Sequence, residues 1–220
     1  MHRMSVAHGL RAGRLVENAR STGMAAFDPD DSFIDLYWIP VGAGTHLQAL
    51  SLSLYEILAA SVARRPRATL YHGALKLRLR GRSQTLELMP VPRHQANPPL
   101  MTGPVGVRGA DRLRRFRYQL YCADSDLFPD EKWAVGSPKR LTTDPATVER
   151  LLASAPGLPS HTWGRRAHGT TEMWTSDSAT SWLLAQSGIE ISQVELPDHG
   201  RAPGWKAGVE AFMAREHETS

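Results

Sequence analysis

The sequence predicts an α+β fold in which a small, barrel-like antiparallel sheet packs against helices. The first observation is a hairpin pattern over residues 69–91, where leucines alternate with charged side chains along two stretches joined by a short turn. The second is the helical spacing of apolar residues on both sides of that hairpin. A helix, then meandering strands, then helices is an order typical of α+β domains.

The composition is that of an ordinary protein domain with one hydrophobic core. The chain has 220 residues, of which 41% are hydrophobic and 22% are charged. Residues 34–220 are expected to form a single domain, and residues 1–33 a flexible or peripheral extension. No stretch approaches the roughly 20 apolar residues that span a bilayer, and the N-terminus lacks the apolar run of a secretory signal. We therefore expect a cytoplasmic protein.

The first elements are a strand, a helix and the hairpin. Residues 36–40 (LYWIP) are predicted to form a strand that ends at a proline and a Gly-rich turn. Apolar residues recur at helical spacing over residues 46–65, which predicts a helix ending at the sequence RRPR. In the hairpin, the sequence GRSQ at 81–84 is the expected turn.

Loops, a strand and further helices follow. Residues 93–106 are predicted to form a Pro- and Gly-rich loop, and residues 114–123 a strand. The residues that share one face of that strand are Phe116, Tyr118, Leu120 and Cys122. A helix then begins with Thr143 or Asp144 as its N-cap. The next helix follows the sequence TSDS, buries one side and ends at Gly188, and the tail forms a short last helix or a loop.

The positive charge of the chain does not by itself indicate a nucleic-acid partner. The formal net charge is +4, and the arginines cluster around residues 64–67 and 112–117. Such clusters attract anionic partners. However, the basic runs lack the interleaved aromatic pattern of a base-stacking platform, so nucleic acid is not expected as a partner.

The histidines and the cysteine do not form a recognisable metal-binding motif. Cys122 is the only cysteine, which excludes an internal disulfide and any multi-cysteine metal site. His161 and His168 are seven residues apart without a carboxylate at ligand spacing. The remaining isolated histidines are His94, His199 and His217. We therefore expect no bound metal and no cofactor.

A histidine and a glutamate lie at the same end of the predicted hairpin. His72 begins the first strand and Glu87 lies near the end of the second, both on the face opposite the leucines. One interpretation is that the Glu87 carboxylate holds the His72 imidazole in one tautomer, as in a hydrolase triad. The other is an ordinary cross-strand ion pair on a solvated face.

The sequence EMWTSDSATSWLL at 172–184 begins a helix with four hydroxyl groups and an acid. Threonine, serine and aspartate are preferred N-caps, so capping alone accounts for such a cluster. Alternatively, one hydroxyl is a nucleophile. The unpaired backbone N–H groups near Ser176 and Asp177 would then stabilise an oxyanion, and His72 would serve as the base.

Three segments in this order resemble the circularly permuted papain-like hydrolases, which include permuted NlpC/P60 and lecithin:retinol acyltransferase-like proteins. They are YHGALKL, TLELMP and TSDSATSWLLAQSG, and the resemblance covers roughly residues 36–190. It implies a permuted papain-like fold with His72 as the catalytic histidine, Glu87 as its orienting residue and Ser176 in the place of the nucleophilic cysteine. Some bacterial members have Asn-Ser-Asn-Ser or Asn-Ser-Asn-Thr at this position.

The resemblance implies a hydrolase or acyltransferase that acts on an amide or ester of a small molecule or peptide, without a cofactor. The residues expected to contact that substrate in the papain-like groove are Trp174, Thr175, Asp177 and Ser178. The chain departs from the family pattern, because serine replaces cysteine and threonine replaces asparagine before it. Asp177 adds a negative charge that opposes an alkoxide at Ser176 or positions a cation or a substrate amine. The alternative is a catalytically inactive papain-like protein that binds a ligand or partner.

Overall fold

The described part of the chain forms one six-stranded antiparallel sheet with three helices. The computed structural model describes residues 31–42, 68–90, 98–125 and 130–219. The strands are β1 (Phe33–Pro40), β2 (Tyr71–Leu79), β3 (Arg82–Pro90), β4 (Met101–Pro104), β5 (Arg117–Ala123) and β6 (Lys139–Thr142). The helices are α1 (Pro145–Ser154), α2 (Ser176–Gln186) and α3 (Trp205–Thr219). The predicted α+β class is confirmed.

The sheet is open and not barrel-like. Its strand order is β4-β5-β3-β2-β1-β6. Within the described strands, β4 pairs only with β5 and β6 only with β1. Because a barrel requires its first and last strands to pair, the expected barrel-like closure is wrong.

The central hairpin is confirmed. β2 and β3 pair from Leu79 and Arg82 at the turn to Leu75 and Leu86. The turn consists of Arg80 and Gly81, both with positive φ, as in the two-residue turns that match strand twist. The predicted turn at 81–84 therefore shares only Gly81 with the observed one, and residues 82–84 belong to β3. Alternation therefore puts His72 and Glu87 at the end of the hairpin away from the turn.

One face of the sheet packs against α1 and α2 to form the core. The buried residues at this interface include Ile34, Leu36, Leu75, Leu77, Leu86, Leu120, Val148, Leu151, Trp182 and Leu183. Helix α1 begins as predicted, with the Asp144 side chain accepting the N–H groups of Ala146 and Thr147. Helix α2 ends at Gln186, and the predicted Gly188 (φ 87°) follows its C-cap Ser187 as the C′ residue. The helix is buried from Asp177 to Leu184 and not on one side only. The reason is that α3 covers its second side.

Some elements differ from the sequence pattern or lie outside the described residues. Strand β4 lies within the predicted loop 93–106, and β6 has no sequence signal, because four residues show too few alternations. Strand β5 begins at Arg117, since residues 114–116 form a 3-10 turn.

The predicted helix 46–65 and most of the 1–33 extension lie outside the described residues. Among the described helices, none combines the length and the apolarity that crossing a membrane requires.

Candidate active site

The first residues of β2 and of α2 meet at one end of the sheet. His72 is the second residue of β2, and Ser176 is the first residue of α2. His72 Nδ1 lies 3.1 Å from Ser176 Oγ, although the two residues are 104 positions apart. The His72 side chain is 31% exposed and Ser176 is half-buried. The fold thus brings together the imidazole and the hydroxyl that the sequence pattern links, at a position that solvent reaches.

Three hydroxyl groups of the α2 segment hold the start of α3. Thr175, Ser178 and Ser181 are spaced by three residues, so their side chains form one stripe along the helix. They donate hydrogen bonds of 2.6, 2.7 and 2.7 Å to three successive backbone carbonyls. Those carbonyls belong to Pro203, Gly204 and Trp205. These hydroxyls therefore explain much of the polar character of a buried helix.

Asp177 and Thr180 attach α2 to β2 at Gly73, the residue that follows His72. The Gly73 N–H donates to Asp177 Oδ1 at 2.8 Å, and Thr180 Oγ1 donates to the Gly73 carbonyl at 3.2 Å. A β-carbon at Gly73 would lie 3.3 Å from both Leu36 Cδ1 and Trp38 Cζ3, which is tighter than ordinary contact. We call Gly73, Asp177 and Thr180 the Gly73 clamp. It fixes the backbone of β2 beside His72 relative to the first turn of α2.

Ser176 differs from the other polar side chains at positions 175–181. Those five are buried and bonded into the scaffold; they are Thr175, Asp177, Ser178, Thr180 and Ser181. Ser176 is half-buried, and among the described residues its hydroxyl bonds to His72 alone. The start of α2 therefore contains five polar side chains that hold the fold together and one accessible hydroxyl, that of Ser176.

The helix cap uses one of the two amides expected to hold an oxyanion. The Asp177 N–H donates to Thr175 Oγ1 at 3.1 Å, and the Thr175 N–H donates to Ser178 Oγ at 3.0 Å, which forms a capping box. The Ser176 N–H makes no hydrogen bond within the described residues. It belongs to the N-terminus of α2, where the helix dipole favours negative charge.

Three carboxylates act on His72. Desolvation lowers the pKa of His72, but Asp177, whose Oδ1 lies 3.8 Å from Nδ1, raises it, and the charges of Glu87 and Asp130 add to the rise. The net result is a pKa above the ordinary value for histidine. A protonated Nδ1 cannot accept the Ser176 proton, so the fraction of His72 that is able to act as a base toward Ser176 increases as the pH rises through that raised pKa.

Glu87 acts on His72 through its charge. It pairs with Tyr121 of β5 on one side of β3, while the β2–β3 pairing stops at Leu75 and Leu86. No hydrogen bond joins Glu87 to His72 in the part of the chain that the structure describes. Burial raises the pKa of Glu87, the positive charge of His72 opposes this rise, and Asp130 adds to it. That Glu87 orients the imidazole stays a prediction.

The four predicted substrate contacts are buried. They are Trp174, Thr175, Asp177 and Ser178. In this conformation the three polar ones bond to protein groups, and the Trp174 ring packs in the core. These side chains present almost no surface to a substrate, so their role as substrate contacts stays a prediction.

Sequence reasoning missed the Gly73 clamp and Asp130. A glycine directly after a strand histidine is a signal for close backbone approach, and it was available in the sequence. The three-residue spacing of Thr175, Ser178 and Ser181 was also visible. Asp130 lies in a loop before a 3-10 turn, 58 positions after His72, where no periodic pattern indicates its place.

The other histidines with a described side chain do not join this site. His161 packs edge-on against Trp174 at 4.7 Å between ring centroids, and burial lowers the pKa of His161. His168 lies in an exposed turn and His94 outside the described residues. Among the described side chains, no group of three or more His, Cys, Asp or Glu is arranged to hold a metal ion.

Comparison with known proteins gives no relative for this chain. No protein-family model, no curated protein and no solved structure matches it. A proposal for the function of this chain therefore rests on the contact between Ser176 and His72.

Proposed function

We propose that the protein is a hydrolase or acyltransferase that cleaves an amide or ester with Ser176 as nucleophile and His72 as base. One observation carries the proposal: the 3.1 Å contact between Ser176 Oγ and His72 Nδ1, at the N-terminus of a buried helix. A serine hydroxyl is a weak nucleophile, and a base within hydrogen-bond reach is the arrangement that activates it.

The reaction follows the usual two halves of acyl transfer. Neutral His72 accepts the Ser176 proton on Nδ1 while Oγ bonds to the substrate carbonyl carbon, whose oxygen becomes an oxyanion. The Ser176 N–H at the α2 N-terminus is the donor available to that oxyanion. When the intermediate collapses, the amine or alcohol leaves with the proton from Nδ1, and an acyl-serine remains. Water or another nucleophile then attacks the acyl group by the reverse sequence, which restores the Ser176 hydroxyl.

The charges around His72 influence the pH range in which this reaction is expected to operate. The raised pKa of His72 favours the imidazolium, which is the proton donor that the leaving group needs. The same rise lowers the fraction of neutral base at a given pH. Glu87 contributes through its negative charge, which stabilises the imidazolium formed in each half-reaction. We therefore expect activity to increase with pH through the pKa of His72.

The proposed fold family is the circularly permuted papain-like superfamily. It is supported by the chain order of a histidine strand, a second strand with an acid, and a later helix that begins at Ser176. The antiparallel sheet packed against α2 is compatible with that family. The replacement of cysteine by serine distinguishes this chain from the common pattern.

Labelling by a fluorophosphonate probe, which forms a covalent bond with activated serines, tests the proposal. We expect labelling of the wild-type chain and none of Ser176→Ala, with a large decrease for His72→Ala. Ser192→Ala is the matched control, because Ser192 is an exposed serine in a 3-10 turn whose hydroxyl bonds to Glu190 and to no histidine among the described residues. Undiminished labelling of Ser176→Ala contradicts the proposal.

A second candidate is a catalytically inactive protein of this fold that binds a ligand or partner. The observation that favours it is the Asp177 carboxylate, which lies 3.8 Å from the same nitrogen that Ser176 contacts. That carboxylate competes for the Nδ1 proton and opposes a charged oxygen at Ser176. If the wild-type chain shows no labelling at any pH at which it stays folded, this candidate replaces the first.

A further inference from the structure

One exposed segment combines a high positive charge with solvent-facing apolar side chains. It consists of residues 105–117, between β4 and β5, and contains two short 3-10 turns. The segment has five arginines and one aspartate, a net charge of +4 that equals the net charge of the whole chain. The rest of the chain is therefore neutral in sum, and the positive charge is concentrated here.

Three apolar side chains project from the same segment. Val107 is 63% exposed, Leu113 54% and Phe116 40%, and they are three of the five large hydrophobic residues most exposed among the described residues. Single exposed apolar residues are common, but three of them in one exposed segment among arginines are a reason to look for an interaction surface. Packing within the described chain leaves these three side chains in contact with solvent.

Exposed arginines occupy the same segment and a neighbouring loop. They include Arg108, Arg112, Arg114, Arg115 and Arg165. Arg165 comes from a neighbouring loop and donates to the Gly106 carbonyl at 2.7 Å, and the Arg115 guanidinium lies 5.2 Å from the Phe116 ring centre. We call these five arginines with Val107, Leu113 and Phe116 the arginine patch. The one acid of the segment, Asp111, is half-buried.

We propose that the arginine patch binds the surface of an anionic lipid bilayer. Arginines attract the negative headgroups, and aliphatic and aromatic side chains between them enter the interface between headgroups and acyl chains. Phe116 is the one aromatic side chain of the patch and is available to stack on a base of a single-stranded nucleic acid, but the aliphatic Val107 and Leu113 gain little from such a partner. The mixture of exposed aliphatic groups and arginines therefore favours lipid over nucleic acid.

The position of the patch relates it to the candidate active site. β4 ends and β5 begins at the segment. Arg117 of β5 pairs with Pro104 of β4, and Tyr118 pairs with Pro90, the last residue of β3, at the end of the hairpin where β2 begins. The patch and the Ser176–His72 contact thus lie at the same end of the sheet. Binding through the patch would hold that end toward the membrane. The binding proposal itself does not depend on catalysis.

Sedimentation with lipid vesicles tests the proposal on the full-length protein. We expect binding to vesicles of phosphatidylcholine mixed with phosphatidylserine and little binding to phosphatidylcholine alone. The double variant Arg108→Gln, Arg112→Gln should weaken binding about 25-fold, because each arginine near an anionic surface contributes about fivefold. Val107→Ser with Leu113→Ser should leave the salt-dependent attraction but reduce the binding that persists at high salt.

A matched control separates the patch from net charge. Arg80→Gln with Arg82→Gln removes the same charge from the hairpin turn at the opposite end of the sheet, where exposed ion pairs with Glu149 and Asp124 contribute little to stability. This control should bind vesicles nearly as well as the wild-type chain.

Equal weakening by the two double variants, or no binding to anionic vesicles, overturns the proposal. Salt-dependent binding to single-stranded DNA without binding to vesicles also overturns it and indicates a nucleic-acid surface. A Ser176→Ala protein should bind vesicles unchanged, which distinguishes this proposal from the proposed catalytic function.

Discussion

Replacing Asp177 with alanine should destabilise the protein more than replacing it with asparagine. Asp177 is 3% exposed, and its Oδ1 accepts the N–H of the buried Gly73 at 2.8 Å. Alanine leaves this N–H buried without an acceptor, at a cost of about 2 kcal/mol. Asparagine has an amide oxygen in the same place and retains the hydrogen bond.

Thermal unfolding measures the difference. For a chain of this size, about 2 kcal/mol corresponds to a decrease in Tm of about 4–8 °C. We expect that decrease between the asparagine and the alanine variant, because both lack the charge of Asp177 and they differ in whether the Gly73 N–H has an acceptor. Equal Tm values for the two variants would show that the bond to Gly73 is not what Asp177 contributes.

The pH dependence of the asparagine variant tests the charge of the same residue. The pKa of His72 is raised in the folded chain, so the attraction to Asp177 stabilises the fold fully below about pH 6.5, the usual pKa of histidine. This contribution is lost as the pH rises through the raised pKa. Asp177→Asn should therefore lower the free energy of unfolding more at about pH 6 than at alkaline pH. A loss that is the same at both pH values contradicts the assignment.

The remaining predictions concern the labelling reaction and the start of α3. In the wild-type chain the rate of fluorophosphonate labelling should rise with pH, and Asp177→Asn should shift that rise to lower pH; an unshifted profile means that another group titrates. Glu87→Gln should shift the rise in the same direction, with little change in Tm. Gly204→Ala should lower the Tm more than Gly109→Ala. Both glycines have positive φ, but only at Gly204 would the new β-carbon lie within 2.6 Å of Thr175 Oγ1, Met173 O and Ser178 Oγ. Similar Tm values for the two glycine variants would exclude this crowding as the cause.

Local patterns in the sequence were sufficient for the central hairpin and two helices. Leucine alternation predicts β2 and β3, and the Asp-Pro sequence predicts the start of α1 at Pro145. Strands β4 and β6 escape such reasoning, because a four-residue edge strand is defined by its neighbour more than by its own pattern. Sheet closure depends on pairing between distant edges, which periodicity does not encode. This explains why the barrel-like expectation was wrong.

In the candidate site too, local features were predictable from the sequence and long-range contacts were not. His72 and Ser176 were chosen as candidates from residue type, chain order and the family resemblance, and their contact follows from the packing of α2 on β2. The partners of each polar side chain were not predictable, because they are backbone groups supplied by distant segments. The carbonyls of residues 203–205 are an example, since no property of that stretch of sequence shows that three hydroxyls from α2 will donate to it. The burial of Trp174 is a second example. Its position just before a helix is compatible with exposure, and only the tertiary fold shows that other segments cover it.

The polar opening of α2 is at once a helix cap and the support of a candidate nucleophile. Thr175 and Ser178 satisfy the cap and hold α3, while Asp177 and Thr180 hold the strand that carries His72. Each of these side chains is buried, so each limits how far the first turn of α2 can move relative to β2. Ser176 lies between the two sets, and its hydroxyl faces the imidazole because its neighbours are fixed on both sides. Catalytic geometry requires such support within a fraction of an ångström, since an activated hydroxyl must stay within hydrogen-bond reach of its base. The capping residues therefore support the proposed role of Ser176. The raised pKa of His72, to which the charge of Asp177 contributes, places the expected onset of labelling at higher pH.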